Sequence, residues 1–325
     1  MKEINKRKNM EKLIIASRKS ALAMWQSEFI KSEIEKKHGI EVVIESMKTK
    51  GDVILDSPLS KIGGKGLFTK ELEVSMINGE SHLAVHSLKD VPMEFPGGLI
   101  LGAVSKREDE KDALVSQNFV SLEDLPKGAR VGTTSLRRIM QIKMLRPDIK
   151  ILPLRGNVNT RLRKLKDGEF DAIILAIAGI KRIGLDKEVK HIYKFSKDEI
   201  IPAMGQGVLG IECPNDKKIL SLISFINDEK AYKEITIERA FVGALNGGCQ
   251  VPIGVNAEVM GDKIEIKAVV GLPDGSKFIK KNLTINEADF KTAGWDLADE
   301  FIKEGAKELL KEAEIMANEM QDLKP

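Results

Sequence analysis

A single thiol is the residue best placed for covalent chemistry in this sequence. Cys249 follows Gly247 and Gly248, directly after a segment, 229–245, whose apolar residues recur at helical spacing. Asn and Gly tolerate the left-handed backbone that ends many helices, so we expect Cys249 to lie on a turn outside the core. The other cysteine, Cys213, lies in an apolar strand-like run and is expected to be structural. A reactive thiolate at Cys249 would need cations or backbone donors supplied by other parts of the fold.

The charge distribution indicates where such cations are found. Net charge is only +3, but residues 130–166 contain eleven Lys or Arg and one acidic residue, Asp148. With 325 residues, 42% hydrophobic and 31% charged, the chain has the composition of a soluble protein of two or three domains. The apolar run 13–16 is too short for a signal peptide core or a membrane span. We therefore expect a cytoplasmic protein with no membrane partner, and two cysteines give no disulfide framework.

The pattern of apolar residues predicts two series of alternating strands and helices. The first series comprises strands 13–17, 40–47 and 82–86 and helices 21–37 and about 67–78. The second comprises a strand ending at 133, helix 135–146, strand 149–154, helix 158–167 and strand 171–176. The first helix is expected to be amphipathic, with an apolar face through Leu22, Trp25, Phe29 and Ile34. Such alternation predicts parallel α/β layers.

From about residue 250 the pattern changes to strand, turn and strand. We predict strands at 253–259, 264–271 and 278–285. A single amphipathic helix through Trp295, Leu297, Phe301 and Leu309 is expected to close the chain. This segment is predicted to be a small antiparallel α+β unit with Cys249 at its entry.

Three motifs resemble ligand sites but lack the context that such sites require. The segment GQGVLG at 205–210 precedes a strand-like run, whereas a dinucleotide-binding glycine motif follows a strand and opens a helix. The segment GGKG at 63–66 lacks the glycine spacing and the hydroxyl residue of a phosphate loop. His82 and His86 fall in a predicted strand, where residues four apart lie about 13 Å apart, too far for one metal ion. We predict no metal site.

Polar residues at the ends of predicted strands form the strongest constellation. Ser87, Lys89 and Asp90 directly follow strand 82–86, and ligands of open α/β sheets bind beyond the carboxyl ends of strands. The segment GTTSLRR at 132–138 occupies the matching point of the second series, where a helix start with hydroxyls and arginines could receive an anion. Two further arginines, Arg155 and Arg161, follow the next strand.

The basic segment suits a small polyanion better than nucleic acid. It is interrupted by apolar core positions, contains no Phe, Tyr or Trp, and carries no known reader motif. Arginine binds carboxylates with two parallel hydrogen bonds, so carboxylates are the expected ligands.

Six sequence blocks together resemble the porphobilinogen deaminase family, also called hydroxymethylbilane synthase. The resemblance extends over about 13–312, and the blocks occur in family order at 15–20 (IASRKS), 61–68 (KIGGKGLF), 84–92 (AVHSLKDVP), 132–138 (GTTSLRR), 154–157 (LRGN) and 247–254 (GGCQVPIG). The resemblance implies an enzyme that condenses four porphobilinogen molecules head to tail with loss of ammonia. It then hydrolyses the tetrapyrrole to hydroxymethylbilane.

The resemblance also implies a covalent cofactor and a set of site residues. The cofactor is dipyrromethane, attached by a thioether, and Cys249 matches the attachment position. Asp90 matches the catalytic carboxylate, expected to face the pyrrole nitrogens and to assist proton transfer. The matching cofactor contacts are Ser87, Lys89, Asp90, Thr133, Ser135, Arg137 and Arg138. The matching substrate-site residues are Arg18, Ser20, Arg155, Arg161 and Arg182.

The resemblance implies two α/β lobes like those of periplasmic binding proteins, joined by crossover segments. We expect the first lobe to comprise 1–105 and 203–224, the second 110–200, and the C-terminal cofactor-attachment domain 228–325. The 61–66 loop is expected to act as a lid, the first ten residues to form a tail, and the protein to be a monomer.

A protein of another class would also explain the basic strand ends. The alternative is a non-catalytic, two-lobed carboxylate-binding protein, because the same lobes serve in binding proteins. It leaves Cys249 and Asp90 without a purpose, and therefore we expect the enzyme.

Overall fold

The computed structural model describes residues 12–53, 68–247 and 251–322. The strands in chain order are β1 (Lys12–Arg18), β2 (Glu41–Met47), β3 (Leu83–Ser87), β4 (Leu99–Val104), β5 (Asp112–Ser116), β6 (Arg130–Gly132), β7 (Lys150–Leu152), β8 (Ala172–Ala176), β9 (His191–Lys194), β10 (Leu209–Pro214), β11 (Ile253–Met260), β12 (Lys263–Gly271) and β13 (Phe278–Asn286). The helices are α1 (Ala21–His38), α2 (Lys50–Val53), α3 (Lys70–Ile77), α4 (Leu136–Leu145), α5 (Val158–Lys166), α6 (Ile177–Arg182), α7 (Lys217–Ile223), α8 (Glu229–Ala244), α9 (Ala293–Lys303) and α10 (Ala306–Asp322).

The first sheet has the strand order β2-β1-β3-β10-β4. β1 runs parallel to β2 and β3, whereas β10 runs antiparallel to both β3 and β4. The chain therefore leaves this sheet after β4, forms the second sheet, and returns as β10 into the middle of the first. Buried side chains such as Leu13, Ile15 and Ile211 fill the layer between the sheet and its helices.

The second sheet has the strand order β7-β6-β8-β5-β9. β6 is parallel to β7 and β8, and β5 is antiparallel to β8 and β9. In each sheet, the first helix, α1 or α4, begins at the carboxyl end of a strand that has parallel neighbours. The predicted parallel α/β layers are confirmed, with one antiparallel insertion in each sheet.

The third sheet is the antiparallel ladder β11-β12-β13. Helices α8, α9 and α10 pack on one face, and the rings of Phe241 and Phe301 meet edge to face with centroids 5.0 Å apart. Gly294 permits close contact of α9 with α8, because a Cβ there would lie 2.3 Å from the Ile237 carbonyl oxygen. The predicted antiparallel C-terminal unit is confirmed.

Two predicted helices differ from the structure. The single closing helix is wrong: Gly305, at φ 93°, separates α9 from α10, and Trp295 is 54% exposed. The predicted apolar face of α1 is also partly wrong. Trp25 and Phe29 stack on each other at the surface, whereas the polar side chains of Gln26 and Ser27 are buried. The physical reason is that Gln26 and Ser27 find hydrogen-bond partners in the first sheet.

Candidate functional site

A cavity of about 60 Å³ opens at the carboxyl ends of β1 and β3. Its lining brings together residues that the sequence places far apart: Arg18, Ser20, Gln26, His86, Ser87 and Asp90. Since β1 and β3 are parallel neighbours, their ends meet at one edge of the sheet. Four of the predicted site residues, Arg18, Ser20, Ser87 and Asp90, therefore surround one space.

Asp90 ends a short 3₁₀ turn, Leu88–Asp90, that directly follows β3. Leu88 is fully buried and its N–H donates to the Val208 carbonyl, which ties the turn to the start of β10. Asp90 itself is exposed. The turn thus presents a carboxylate to the cavity from a rigid support.

Arg18 and Ser20 bracket the start of α1. The Arg18 guanidinium binds the Asp52 carboxylate, with Nη2 2.5 Å from Oδ1, and lies 4.3 Å from the centre of the Phe68 ring. Ser20 is the N-cap of α1, and its Oγ accepts from the Ala23 N–H. Asp52 and Phe68 therefore fix the Arg18 guanidinium at the edge of the cavity.

Ser87 is oriented by a residue that we did not predict. Gln26, which is 2% exposed, donates from Nε2 to Ser87 Oγ at 2.7 Å. The sequence signal was available, since a polar residue on the buried side of a helix has to be hydrogen bonded. We assigned the apolar face of α1 to its aromatic residues and so missed it.

Arg137 and Arg138 share one buried carboxylate, Asp112 on β5. Arg137 Nη1 donates to Asp112 Oδ2 at 2.6 Å, and Arg138 donates from Nε and Nη2 to Oδ1 at 3.0 and 2.6 Å. Asp112 is 0% exposed, and the two arginines are 4% and 6% exposed. The arginines of α4 are therefore buried ion-pair partners, whereas the sequence indicated a helix start open to anions.

Gln206 connects Lys89 to this ion pair. Lys89 Nζ donates to Gln206 Oε1 at 3.2 Å, and Gln206 Nε2 donates to Asp112 Oδ1 at 3.1 Å. Gln206 Nε2 also donates to the Glu110 carbonyl at 2.6 Å. The side chain of a crossover residue thus links the end of β3 to the second sheet. Neither Gln206 nor Asp112 was predicted, because Gln206 gains its partners only through the crossover and Asp112 meets arginines 25 and 26 residues away along the chain.

Of two hydroxyls at the start of α4, that of Thr133 is used locally and that of Ser135 is not. The Thr133 N–H donates to the Leu152 carbonyl, and Thr133 Oγ1 accepts from the Ser135 N–H at 3.2 Å. Ser135 is the N-cap of α4, but its side chain makes no capping hydrogen bond. The Ser135 hydroxyl therefore remains available to a ligand at this helix start.

The three remaining predicted arginines lie on the second lobe. Arg161, in the first turn of α5, donates from Nε to the Gly156 carbonyl at 2.8 Å, and the half-buried Arg155 precedes that glycine. Arg182 ends α6, donates to the Gly207 carbonyl at 2.6 Å, and lies 6.0 Å from the Trp25 ring centre. Arg182 therefore reaches from the second sheet toward α1 of the first.

Burial and mutual repulsion shift the pKa values of these groups. Burial, with repulsion by Arg138, lowers the pKa of Lys89 to about 8. Burial also lowers the pKa of Arg161 to about 10; Arg138 lowers it further, while Asp90 opposes the shift. Burial raises the pKa of Asp112, but the attraction of Arg137 and Arg138 outweighs this and holds it well below its usual range. The site therefore concentrates positive charge around one buried and one exposed carboxylate.

The proposed attachment residue, Cys249, and the 61–66 loop lie outside the described residues. The chain reaches this region through α8, after which Asn246 adopts the left-handed conformation with φ 53°, as the sequence predicted. Cys213 is buried in β10, and burial raises the pKa of its thiol to about 12, as expected of a structural cysteine. Across 12–53, 68–247 and 251–322, no His, Cys, Asp and Glu group could hold a metal ion. No helix in those ranges is long and apolar enough to cross a membrane.

Comparison with known structures finds a periplasmic domain and a binding protein at low similarity. The periplasmic VFT2 domain of BvgS from Bordetella pertussis matches with a TM-score of 0.41 at 12% identity, covering 66% of this chain and 85% of the domain. The methionine binding protein MetQ matches with a TM-score of 0.42 at 13% identity, covering 69% of this chain and 93% of that protein.

Comparison with protein families and curated sequences gives a much closer match. Residues 13–221 match the family model described as porphobilinogen deaminase, dipyromethane cofactor binding domain, and residues 232–303 match its C-terminal domain. The porphobilinogen deaminase of Campylobacter hominis is 64% identical over 308 residues, covering 95% of this chain and all of that protein. That of Campylobacter concisus is 62% identical over 309 residues, with 95% and 100% coverage. This chain belongs to the porphobilinogen deaminase family.

Proposed function

We propose that this protein is a porphobilinogen deaminase, a transferase of tetrapyrrole biosynthesis. It joins four porphobilinogen molecules head to tail, releases ammonia at each step, and hydrolyses the product to hydroxymethylbilane. One structural observation carries the mechanism. The exposed carboxylate of Asp90 lines a cavity together with Arg18, which is held by Asp52, and adjoins Lys89, which is held by the buried Gln206.

The charges of the site fit the charges of the substrate. Each porphobilinogen unit carries an acetate and a propionate, so a growing chain accumulates carboxylates. Arg137 and Arg138 share the buried carboxylate of Asp112, and a third cation, Lys89, is linked to it only through the Gln206 amide. The excess positive charge in a buried setting favours a polyanion, because charge-assisted hydrogen bonds are strong there.

The same excess suits dipyrromethane, which has four carboxylates. We propose that it is held by the cations Lys89, Arg137 and Arg138 and by the hydroxyls of Ser87, Thr133 and Ser135, and that it is joined to Cys249 by a thioether. When bound, this group supplies the terminal pyrrole to which the first substrate unit is added. The free Ser135 hydroxyl and the oriented Ser87 hydroxyl support this assignment.

Asp90 is proposed to have two roles, the stabilisation of positive charge and the acceptance of a proton. A carboxylate at the cavity mouth stabilises the positive charge that develops on a pyrrole as its amine departs. It can also accept the proton that the receiving pyrrole carbon loses as the new carbon–carbon bond forms. The rigid turn that carries Asp90 means that little reorganisation is needed at that moment.

The substrate-site residues are proposed to orient the incoming carboxylates. They are Arg18, Ser20, Arg155, Arg161 and Arg182. Arg18 is fixed by Asp52, and Arg161 and Arg182 are fixed by backbone carbonyls. Each held guanidinium loses less conformational freedom on binding than a solvated one.

The domain boundaries given from the sequence remain our proposal. The three separate sheets and the return of β10 into the first sheet support a first lobe of 1–105 and 203–224, a second of 110–200 and a C-terminal domain of 228–325. We also propose that the enzyme works as a cytoplasmic monomer with no nucleic acid or membrane partner. Light scattering of the purified protein tests the monomer.

The function is tested with purified protein and porphobilinogen. We expect ammonia release and hydroxymethylbilane formation, and loss of both in Asp90→Asn. Asp262→Asn is the matched control, because Asp262 is exposed in the hairpin between β11 and β12. Binding of porphobilinogen without ammonia release would contradict the enzyme and support a non-catalytic carboxylate-binding protein.

A further inference from the structure

A buried polar cluster lies directly behind the cavity that contains Asp90. His86, which is 6% exposed, also lines that cavity. Its Nε2 lies 3.0 Å from Oε2 of Glu212, a residue of β10 that is 0% exposed. Glu73 of α3, 6% exposed, faces the same pair. None of these three residues has a role in the mechanism derived above.

The sheet geometry forces these side chains together. Successive residues of a strand point to opposite faces, so His86 shares a face with Ala84, which packs against Leu72 on α3. In the antiparallel register, Glu212 lies opposite Ala84 and therefore points to that face as well. The cluster is thus enclosed between the first sheet and α3.

The surroundings leave His86 as the main group that can neutralise Glu212. Neither Glu212 oxygen has a well-formed hydrogen bond among the described residues, although His86 is at ion-pair distance. An ionised carboxylate buried without a cation costs several kcal/mol. The other charged groups nearby are Glu73 with its neighbour Glu71 on α3, and, lining the cavity, Asp90 and Arg18. The Arg18 guanidinium is bound to the Asp52 carboxylate and not to Glu212.

Glu73 is held in a different way. Its carboxylate accepts from Thr69 Oγ1 at 2.6 Å. Burial, followed by repulsion from Glu212, raises the pKa of Glu73, while Thr69 and His86 oppose the shift. Glu73 therefore adds to the negative potential around His86 and is itself drawn toward its neutral form.

We propose that His86 and Glu212 form a buried imidazolium–carboxylate pair that acts as a positioning element for Asp90. The pair fixes the end of β3, from which the turn bearing Asp90 starts. It also places a positive charge in the cavity wall opposite that carboxylate. This inference rests on the proposed function, because Asp90 is the group through which the pair acts.

The charge of the pair is tested first, without reference to activity. The imidazole ¹⁵N shifts of His86 are recorded in the purified full-length protein and in Glu212→Gln. We expect both ring nitrogens to be protonated in the wild type at pH 7 and only one in the variant. A neutral His86 in the wild type would overturn the proposal even if the enzyme were fully active.

The positioning role is tested by kinetics as a function of pH. We expect kcat to fall about tenfold in Glu212→Gln and in His86→Gln, with KM within about twofold of the wild type. In the wild type, kcat should fall at alkaline pH, where the proposed pair loses its proton. Both variants should lack this alkaline limb of the pH–kcat profile. Glu265→Gln, on β12 in the third sheet, is the control for a carboxylate-to-amide change.

The controls separate the possible failures. If Glu212→Gln does not fold, His86→Gln keeps an amide that can donate to Glu212 and carries the kinetic test alone. A fall in kcat with an unchanged alkaline limb would mean that the pair only stabilises the fold, and would overturn the proposal. Absence of ammonia release in the wild type refutes the proposed function instead, while the ¹⁵N result still decides the charge of the pair.

Discussion

Replacement of Asp112 by Asn is the sharpest test of how the site is held together. Asp112 is fully buried and accepts hydrogen bonds from Arg137, Arg138 and Gln206. The Asp112→Asn substitution keeps the shape but removes the charge, which leaves two buried guanidiniums without a counterion. The substitution also replaces one carboxylate oxygen, an acceptor, with an amide NH₂ group, a donor. That NH₂ group would face the N–H donors of Arg137 or Arg138.

The expected loss of stability is large. Removing one partner of a buried ion pair costs about 3–5 kcal/mol. At roughly 2–4 °C per kcal/mol, the thermal midpoint should fall by roughly 6–20 °C. Glu188→Gln is the control, because it removes the carboxylate of an exposed ion pair, Lys166–Glu188. We expect little change there, since solvent screens exposed pairs.

The pH dependence of folding stability independently tests the direction of the pKa shift of Asp112. The pKa of Asp112 is lowered in the folded protein, so its contribution is fully present above its unfolded value of about 3.9. The contribution is lost as pH falls through the folded value. The difference between wild type and Asp112→Asn should therefore be constant from neutral pH down to about 4 and shrink below it. Calorimetry at several pH values measures this difference. A difference below about 1 kcal/mol at pH 7 would refute the account of a buried ion pair.

Three further predictions test the proposed role of Asp90, the proposed role of Lys89 and the packing of the third sheet. Asp90→Asn should fold with its cofactor attached and lose at least about 100-fold in turnover; wild-type-like rates would refute the role of Asp90. Because the pKa of Lys89 is lowered to about 8, its charge is present below that pH and lost above it. KM for porphobilinogen should therefore rise above pH 8 in the wild type and stay flat in Lys89→Arg; equal profiles would contradict this assignment. Gly294→Ala should lower the unfolding midpoint by several degrees, because its Cβ would meet the Ile237 carbonyl oxygen at 2.3 Å, and an unchanged midpoint would show that α8 and α9 separate easily.

The sequence predicted local structure well because local structure depends on short-range patterns. Apolar periodicity located β1, β2 and β3 to within one residue or so, and the glycine after Asn246 marked the end of α8. The expectation that Asp90 lies at a ligand site came from its place just after β3, because ligands of open α/β sheets bind beyond the carboxyl ends of strands.

The parts that the sequence did not predict depend on long-range pairing. Asp112 was not singled out, because its partners lie 25 and 26 residues away and its burial follows from the interior position of β5 between β8 and β9. Gln206 gains its role only because the crossover brings it beside Lys89. The break between α9 and α10 was missed because one glycine interrupts a pattern that otherwise continues across it.

The central claim is that this chain builds its product on a covalent group at Cys249, and intact mass tests it most directly. The purified protein and Cys249→Ser are weighed before and after addition of porphobilinogen. We predict that the wild type carries the excess mass of two linked pyrroles, that Cys249→Ser lacks it, and that substrate adds single pyrrole units to the wild type. Bare mass in both proteins, without adducts after incubation with substrate, would contradict the claim.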